Sequence, residues 1–320
     1  MTAIGAILFH TGILAASLTI IGFAGNYFVE ALSSYARKLG MSKYFIGMVV
    51  VAIATSSPDI FTSFMGLLAG KPEMLSGILL GGLMLDLAFF NGVFAVLSKR
   101  INLETDVIKG IELVVLGLML LPYVLMLDGE ISKSEGFAMM LSFIIYVLLM
   151  WNREKGSGKL KQKIPLTNIW RDMLVFVFAL GAMFLAARYA VFSSIMLSST
   201  LNIPIYLLSI TVLAFAAATP DAIAGIIAIL KGRGGEIGFG ENVGTTFMEI
   251  NFFTGLVAIF YPMNFGIMAT IAGIIGLMVS ATFFLVILRK GYITREQGYV
   301  FLLIYAAYMT FEVTRVLIWG

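Results

Sequence analysis

Residues 54–63 read Ala-Thr-Ser-Ser-Pro-Asp-Ile-Phe-Thr-Ser, and residues 216–225 read Ala-Ala-Ala-Thr-Pro-Asp-Ala-Ile-Ala-Gly. The same pair, Pro58-Asp59 and Pro220-Asp221, therefore stands twice inside long apolar stretches. Proline removes the N–H that a helix interior needs. A carboxylate at the centre of a bilayer costs at least ~2.5 kcal/mol. Each stretch reads as a broken helix bearing an acid, one that faces protein or water rather than lipid.

Working outward, 60% of the 320 residues are hydrophobic and only 12% are charged. A soluble domain carries about twice that charge, so the composition is that of a polytopic membrane protein. The absence of cysteine excludes disulfides and thiolate metal sites, and the single histidine, His10, has no histidine partner for imidazole metal chemistry. The first apolar segment is too long for a removable signal peptide and lacks its basic flank and cleavage pattern, so a retained first helix is expected. A net charge of +3 is too small to argue for a nucleic-acid partner.

Apolar spans long enough to cross a bilayer fall at 6–34, 44–69, 74–98, 106–127, 132–151, 170–197, 204–230, 237–260, 262–288 and 297–319. The fold class they predict is an all-α polytopic membrane protein of ten transmembrane helices. Lys and Arg gather on the cytoplasmic side. Placing the N-terminus outside puts 17 of the 21 basic residues inside: Arg37, Lys38, Lys43, Lys99, Arg100, Lys109, Arg153, Lys155, Lys159, Lys161, Lys163, Arg171, Lys231, Arg233, Arg289, Lys290 and Arg295. Lys71 and Lys133 fall in outer loops, and Arg188 and Arg315 lie near outer helix ends, where they snorkel. Both termini are then extracellular.

The basic run 153–167, interrupted by Gly156-Ser157-Gly158, is a cytoplasmic linker between two five-helix halves, 1–152 and 168–320. With five crossings in the first half, the second begins on the opposite side, so an internal repeat has to be inverted. Pro58 and Pro220 are 162 residues apart (58 to 220), about half the chain. Inverted repeats with midplane sites on discontinuous helices are a feature of secondary transporters.

Asp59 and Asp221 sit halfway along the second and seventh spans. The preceding prolines are expected to free carbonyls around residues 54–56 and 215–217 as hard oxygen ligands. Repeat one adds the hydroxyls of Thr55, Ser56, Ser57, Thr62 and Ser63, whereas repeat two offers only Thr219. The next span in each half supplies a second acid, Asp86 and Glu249, spaced 27 (59 to 86) and 28 (221 to 249) residues after the first. Carboxylate, carbonyl and hydroxyl together suit calcium, magnesium or sodium. Four acids at one depth repel unless a divalent cation or protons neutralise them. The alternative for any one acid is a protonated carboxyl bonded to a neighbouring helix. Duplication of the Pro-Asp pair argues against that for Asp59 and Asp221, and both roles stay open for Asp86 and Glu249.

Gly81-Gly82, Asn91-Gly92, Gly244-Thr245 and Thr254-Gly255 are small-residue steps that let helices approach closely. Glu312 and Arg315, at i,i+3 on the last span, read as a structural ion pair. Asn26 and Glu30 on the first span are candidates for lining an ion path, with pairing to a basic residue the alternative for Glu30. Glu241 is open between gating and interfacial solvation, and Glu112 reads as interfacial.

At these residues the chain resembles the cation/calcium exchanger superfamily, in particular its prokaryotic sodium/calcium exchanger-like members, over essentially its whole length. The family's G-T-S-x-P-E motif is represented by Ala54-Thr55-Ser56-Ser57-Pro58-Asp59 and by Ala216-Ala217-Ala218-Thr219-Pro220-Asp221. Its G-N-x-x-G-S-N motif is visible as Gly77-Ile78-Leu79-Leu80-Gly81-Gly82 and Gly240-Glu241-Asn242-Val243-Gly244-Thr245. The resemblance implies two inverted repeats and direct binding of the transported cation by Asp59 and Asp221. Asp86 and Glu249 match positions where the family usually places Asn or Asp. This chain departs from the pattern in having Asp for the family's central Glu, Ile78 and Glu241 for the motif's Asn, and Ala217-Ala218 for the hydroxyl pair of repeat two. A site that loses hydroxyls and an amide but gains carboxylate is less suited to several sodium ions.

The expected function is a secondary antiporter that exchanges a divalent cation for sodium or protons by alternating access. The resemblance weights calcium, and magnesium or another divalent stays open. The metal-site residues are Asp59, Asp221, Asp86 and Glu249, with oxygens from Thr55, Ser56 and Thr219. No enzymatic cofactor is implied, and the partners are inorganic cations and the lipid bilayer. An intramembrane aspartyl protease also needs two midplane acids, but its Gly-x-Gly-Asp element is absent here; a passive cation channel is the other rival.

Overall fold

The structure, a computed structural model, describes residues 3–38, 56–98, 100–102, 112–156, 169–218, 244–264 and 292–319, together with 222, 226, 229, 271, 274, 275, 278 and 279. It is helical nearly throughout. In chain order the elements are α1 (Ala3–Lys38), α2 (Ser57–Leu68), α3 (Pro72–Ser98), β1 (Arg100–Asn102), α4 (Glu112–Leu125), β2 (Glu130–Ile131), α5 (Lys133–Gly156), α6 (Ile169–Leu201), α7 (Ile205–Ala217), α8 (Gly244–Phe260), β3 (Met263–Asn264), β4 (Tyr292–Thr294) and α9 (Arg295–Trp319). Among the described residues α1, α3, α5, α6 and α9 are long and apolar enough to cross a membrane, and α4, α7 and α8 are shorter apolar helices.

Prolines set several boundaries. Pro58 and Pro72 stand in the first turns of α2 and α3, where the missing N–H is not required, and Pro204 directly precedes α7. Asn202 ends α6 in a left-handed conformation (φ 54°), with Ile203 N–H donating to the Ser198 carbonyl.

The layers invert the usual arrangement of a soluble domain. Of the membrane-length helices, α3 is the central one, with 89% of its apolar stretch buried against 17% for α1 and 22% for α9. Leu113, Trp170, Phe178 and Ile4 are among the large apolar side chains left open, the outer surface of a protein whose solvent is lipid. The largest buried cluster joins α3 to α4, α5, α7, α8 and α9. Helices α1 and α6 lie alongside each other in opposite directions, because His10 meets Phe192 and Phe28 stacks on Phe176.

Matching features recur 162 or 163 residues apart. Gly92 of α3 packs on Gly298 of α9, and Gly255 of α8 packs on Gly136 of α5. The ladder β1–β4 aligns Ile101 with Ile293, and β2–β3 aligns Ile131 with Met263. Ser132 and Glu135 form a capping box at the start of α5, and at the start of α9 the Thr294 N–H donates to the Gln297 side chain. Leu85–Phe90 in α3 and Met248–Phe253 in α8 are both π-helical, a form that inserts one extra residue into the turn. A third π segment, Ser209–Leu213, lies in α7.

Candidate cation site

The site begins at the first turn of α2. Ser56, Asp59 and Ser63 are spaced to share one helical face and are all buried. Thr62, also buried, donates its hydroxyl to the Pro58 carbonyl at 2.7 Å and is thereby committed to its own helix. Ser63 Oγ makes no hydrogen bond among the described residues. The Ser56 carbonyl, one of those expected to be free, accepts from Ile60 N–H at 3.1 Å.

Two π segments bring in the other acids. Asp86 and Glu249 each lie in the first turn of one, 1% and 3% exposed. Side chains satisfy carbonyls loosened by the wider turn: Asn91 Nδ2 donates to the Leu87 carbonyl, and Thr254 Oγ1 to the Glu249 carbonyl. On the far side of α8, Asn251 contacts Ser142 of α5.

The Glu249 carboxyl reaches the Asp59 carboxyl and the Ser56 hydroxyl. Its Oε2 stands 3.6 Å from the point where a Cβ on Gly82 would sit. Helices α2, α3 and α8 therefore meet at one point, with two acids and a hydroxyl from the outer pair and bare backbone from α3. Close approach of α3 to α7 supports this arrangement. A Cβ on Gly81 would stand 2.7 Å from the Ile210 carbonyl oxygen, and one on Gly77 2.9 Å from that of Tyr206.

Among the described residues no Lys or Arg is buried. Two adjoining carboxylates in low dielectric require a cation or a proton between them. The available donors are all hard oxygens, the set that takes an alkali or alkaline-earth ion.

Of the expected site residues, the structure brings together Asp59, Glu249 and Ser56. Asp86 is buried on α3 one turn beyond Gly82, and no three acidic side chains among the described residues converge closely enough to hold a metal by themselves. Thr55, Thr219 and Asp221 lie outside the described residues, as does Glu241. Asn26 and Glu30 lie on the exposed face of α1. Glu312 and Arg315 form the expected ion pair, Oε2 to Nη2 2.9 Å, and Tyr206 of α7 adds a hydrogen bond to Glu312 that the sequence did not signal.

The profile of the family described as sodium/calcium exchanger protein matches the chain twice, over residues 9–152 and 172–314. The sodium/calcium exchanger MaX1 of Methanosarcina acetivorans is 24% identical, the alignment covering 93% of this chain and 96% of that protein. The inner membrane protein YrbG of Escherichia coli is 23% identical over 80% of this chain and 81% of its own. A solved structure of the sodium-calcium exchanger NCX_Mj superposes with a TM-score of 0.70 at 21% identity, covering 95% of this chain and 99% of that one, so the two share a polytopic membrane fold. A duplicated family match, a shared fold and a buried all-oxygen acidic site agree, and the chain belongs to the sodium/calcium exchanger family, a cation antiporter of the membrane.

Proposed function

We propose that the protein exchanges calcium for sodium or protons by alternating access, through ten membrane spans arranged as two inverted five-span repeats. The observation that carries this reading is the meeting of Asp59, Glu249 and Ser56 on the Gly82 backbone. In this reading Asp59 and Asp221 bind the cation directly, and Asp86 and Glu249 serve as further ligands or carry protons. Thr55, Ser56 and Thr219 contribute oxygens.

Several features support the inverted repeat. The family profile matches each half. Helices α1 and α6, the first of each half, run in opposite directions. The β1–β4 ladder joins two connections that the basic-residue count places inside, and β2–β3 joins two that it places outside. The halves are 1–152 and 168–320, the basic stretch 153–167 is a cytoplasmic linker, and both termini are extracellular. Helices α1 and α6, outside the central cluster, slide over the core to open the site to alternate faces.

The test is transport in proteoliposomes, with calcium, magnesium and manganese offered under imposed sodium and pH gradients. Calcium uptake driven by a counter-gradient, and its loss in Asp59→Asn, is the expected result. Uptake without counter-ion flux would make the protein a channel, and preference for magnesium would reassign the ion. Full transport by Asp59→Asn would overturn the site.

A further inference from the structure

Two groups of hydroxyls stand out among the described residues. Along the helices, Thr19, Thr62, Ser199, Thr200, Ser209, Thr211 and Thr310 each turn back and donate to the carbonyl four residues earlier. Hydroxyls in apolar helices do this because lipid and packed side chains offer nothing else. Ser193 and Ser194 of α6 do not. Both are fully buried, and neither Oγ has a hydrogen-bond partner among the described residues, although Ser199 and Thr200 on the open end of the same helix follow the rule. Ser63 on α2 is in the same condition, as is Thr246 on α8, and the Oγ of half-buried Ser98 on α3 also has no partner among the described residues; the last two lie outside this cluster. A buried hydroxyl that forgoes its own backbone is free to meet a water or an ion.

The placement of Ser63, Ser193 and Ser194 decides which. Ser63 lies one turn beyond Asp59 on the same face of α2. Phe61 packs edge-on against Phe184, setting α2 beside α6. Ser193 and Ser194 fall between Val191 and Leu197, which share a buried cluster with Met65 of α2, Met74 and Ile78 of α3 and Leu213 of α7. They therefore stand at the end of the molecule that carries the Ala69–Lys71 turn and the residues 202–204 connection. From that end inward the order is Ser193 and Ser194, then Ser63, then Asp59.

We infer that Ser193, Ser194 and Ser63 line the access route for the transported cation on that side, replacing its hydration oxygens stepwise as it approaches the carboxylates. The inference rests on the exchanger reading above. It adds α6 residues to the transport machinery, on a helix with no acid near its centre.

The chain contains no cysteine, so single variants Ser63→Cys, Ser193→Cys and Ser194→Cys each carry one thiol, and Thr19→Cys on the open face of α1 serves as the control. The probe is a membrane-impermeant methanethiosulfonate bearing a trimethylammonium group, applied to each face of reconstituted vesicles with and without calcium. The expected result is labelling of the three serine positions from one face, roughly tenfold faster than Thr19→Cys and slowed by calcium. The Ser193→Ala/Ser194→Ala double variant should raise the apparent KM for the cation on that face roughly tenfold, the size of one lost hydrogen bond to a charged group, and leave the opposite face unchanged. No labelling under any ion condition, or a double variant that transports like the wild type with a higher Tm, would show that these hydroxyls merely pack. If the wild type moved no divalent cation, the exchanger reading would fail, while the labelling pattern would still report the route.

Discussion

Glu249 rests on the backbone of Gly82, its Oε2 3.6 Å from where a Gly82 side chain would begin. That distance is ordinary contact for one methyl group and leaves no room for a second. Gly82→Ala should therefore transport within about twofold of wild type, whereas Gly82→Val should displace the carboxylate and abolish calcium uptake at unchanged expression. Parallel flux assays on the two variants check this.

The glycine pairs make the opposite prediction. A Cβ on Gly255 would stand 2.8 Å from the Gly136 carbonyl oxygen, and one on Gly298 2.9 Å from that of Gly92. The obstructing atoms are backbone, which cannot turn aside. Gly255→Ala and Gly298→Ala should each destabilise the protein by roughly 1–3 kcal/mol, read as a lowered unfolding midpoint in detergent. Gly117→Ala, where nothing lies within 4 Å, is the neutral control.

Glu312 is fully buried and holds Arg315 and Tyr206 on one oxygen. Arg315→Ala would leave that carboxylate without its cation and should cost about 3 kcal/mol. Tyr206→Phe should cost about 1 kcal/mol. The double change Glu312→Leu/Arg315→Leu should be milder than Arg315→Ala, because it removes the buried charge together with its partner. Thermal unfolding of the three variants ranks them.

Calcium should stabilise the solubilised protein by mass action, by about 2.7 kcal/mol at roughly a hundredfold excess over Kd. Asp59→Asn and Glu249→Gln should each lose most of that increment while keeping the ion-free midpoint. A thermal-shift titration with calcium against sodium and choline controls reads it. An undiminished shift in both variants would move the site elsewhere.

Much of this was legible in the sequence. Long apolar runs marked α1, α3, α5, α6 and α9 because length and hydropathy are all that spanning a bilayer requires. Pro58-Asp59 marked a break within the second span, where the described helix begins at Ser57, and Glu249 was singled out by its matched spacing. The π segments left no such signal. One extra residue in a turn does not alter composition or periodicity enough to show, yet it helps set where Asp86 and Glu249 stand. The short ladders at Ile101 and Ile131 were equally silent, since two or three residues are too few to display an alternating pattern. Tyr206 carried no signal, because its partner, Glu312, is 106 residues away.

The lengths of α1 and α6 carry a consequence for the membrane itself. Their apolar stretches run 30 and 32 residues, about 45 Å or more of helix, whereas the hydrocarbon core is about 30 Å thick. The two helices must lean to hide the excess, and the lean changes with bilayer thickness. If this pair is the part that slides, lipid acyl-chain length becomes a throttle on exchange: turnover in liposomes of graded thickness should pass through an optimum, with Asp59 and Glu249 untouched.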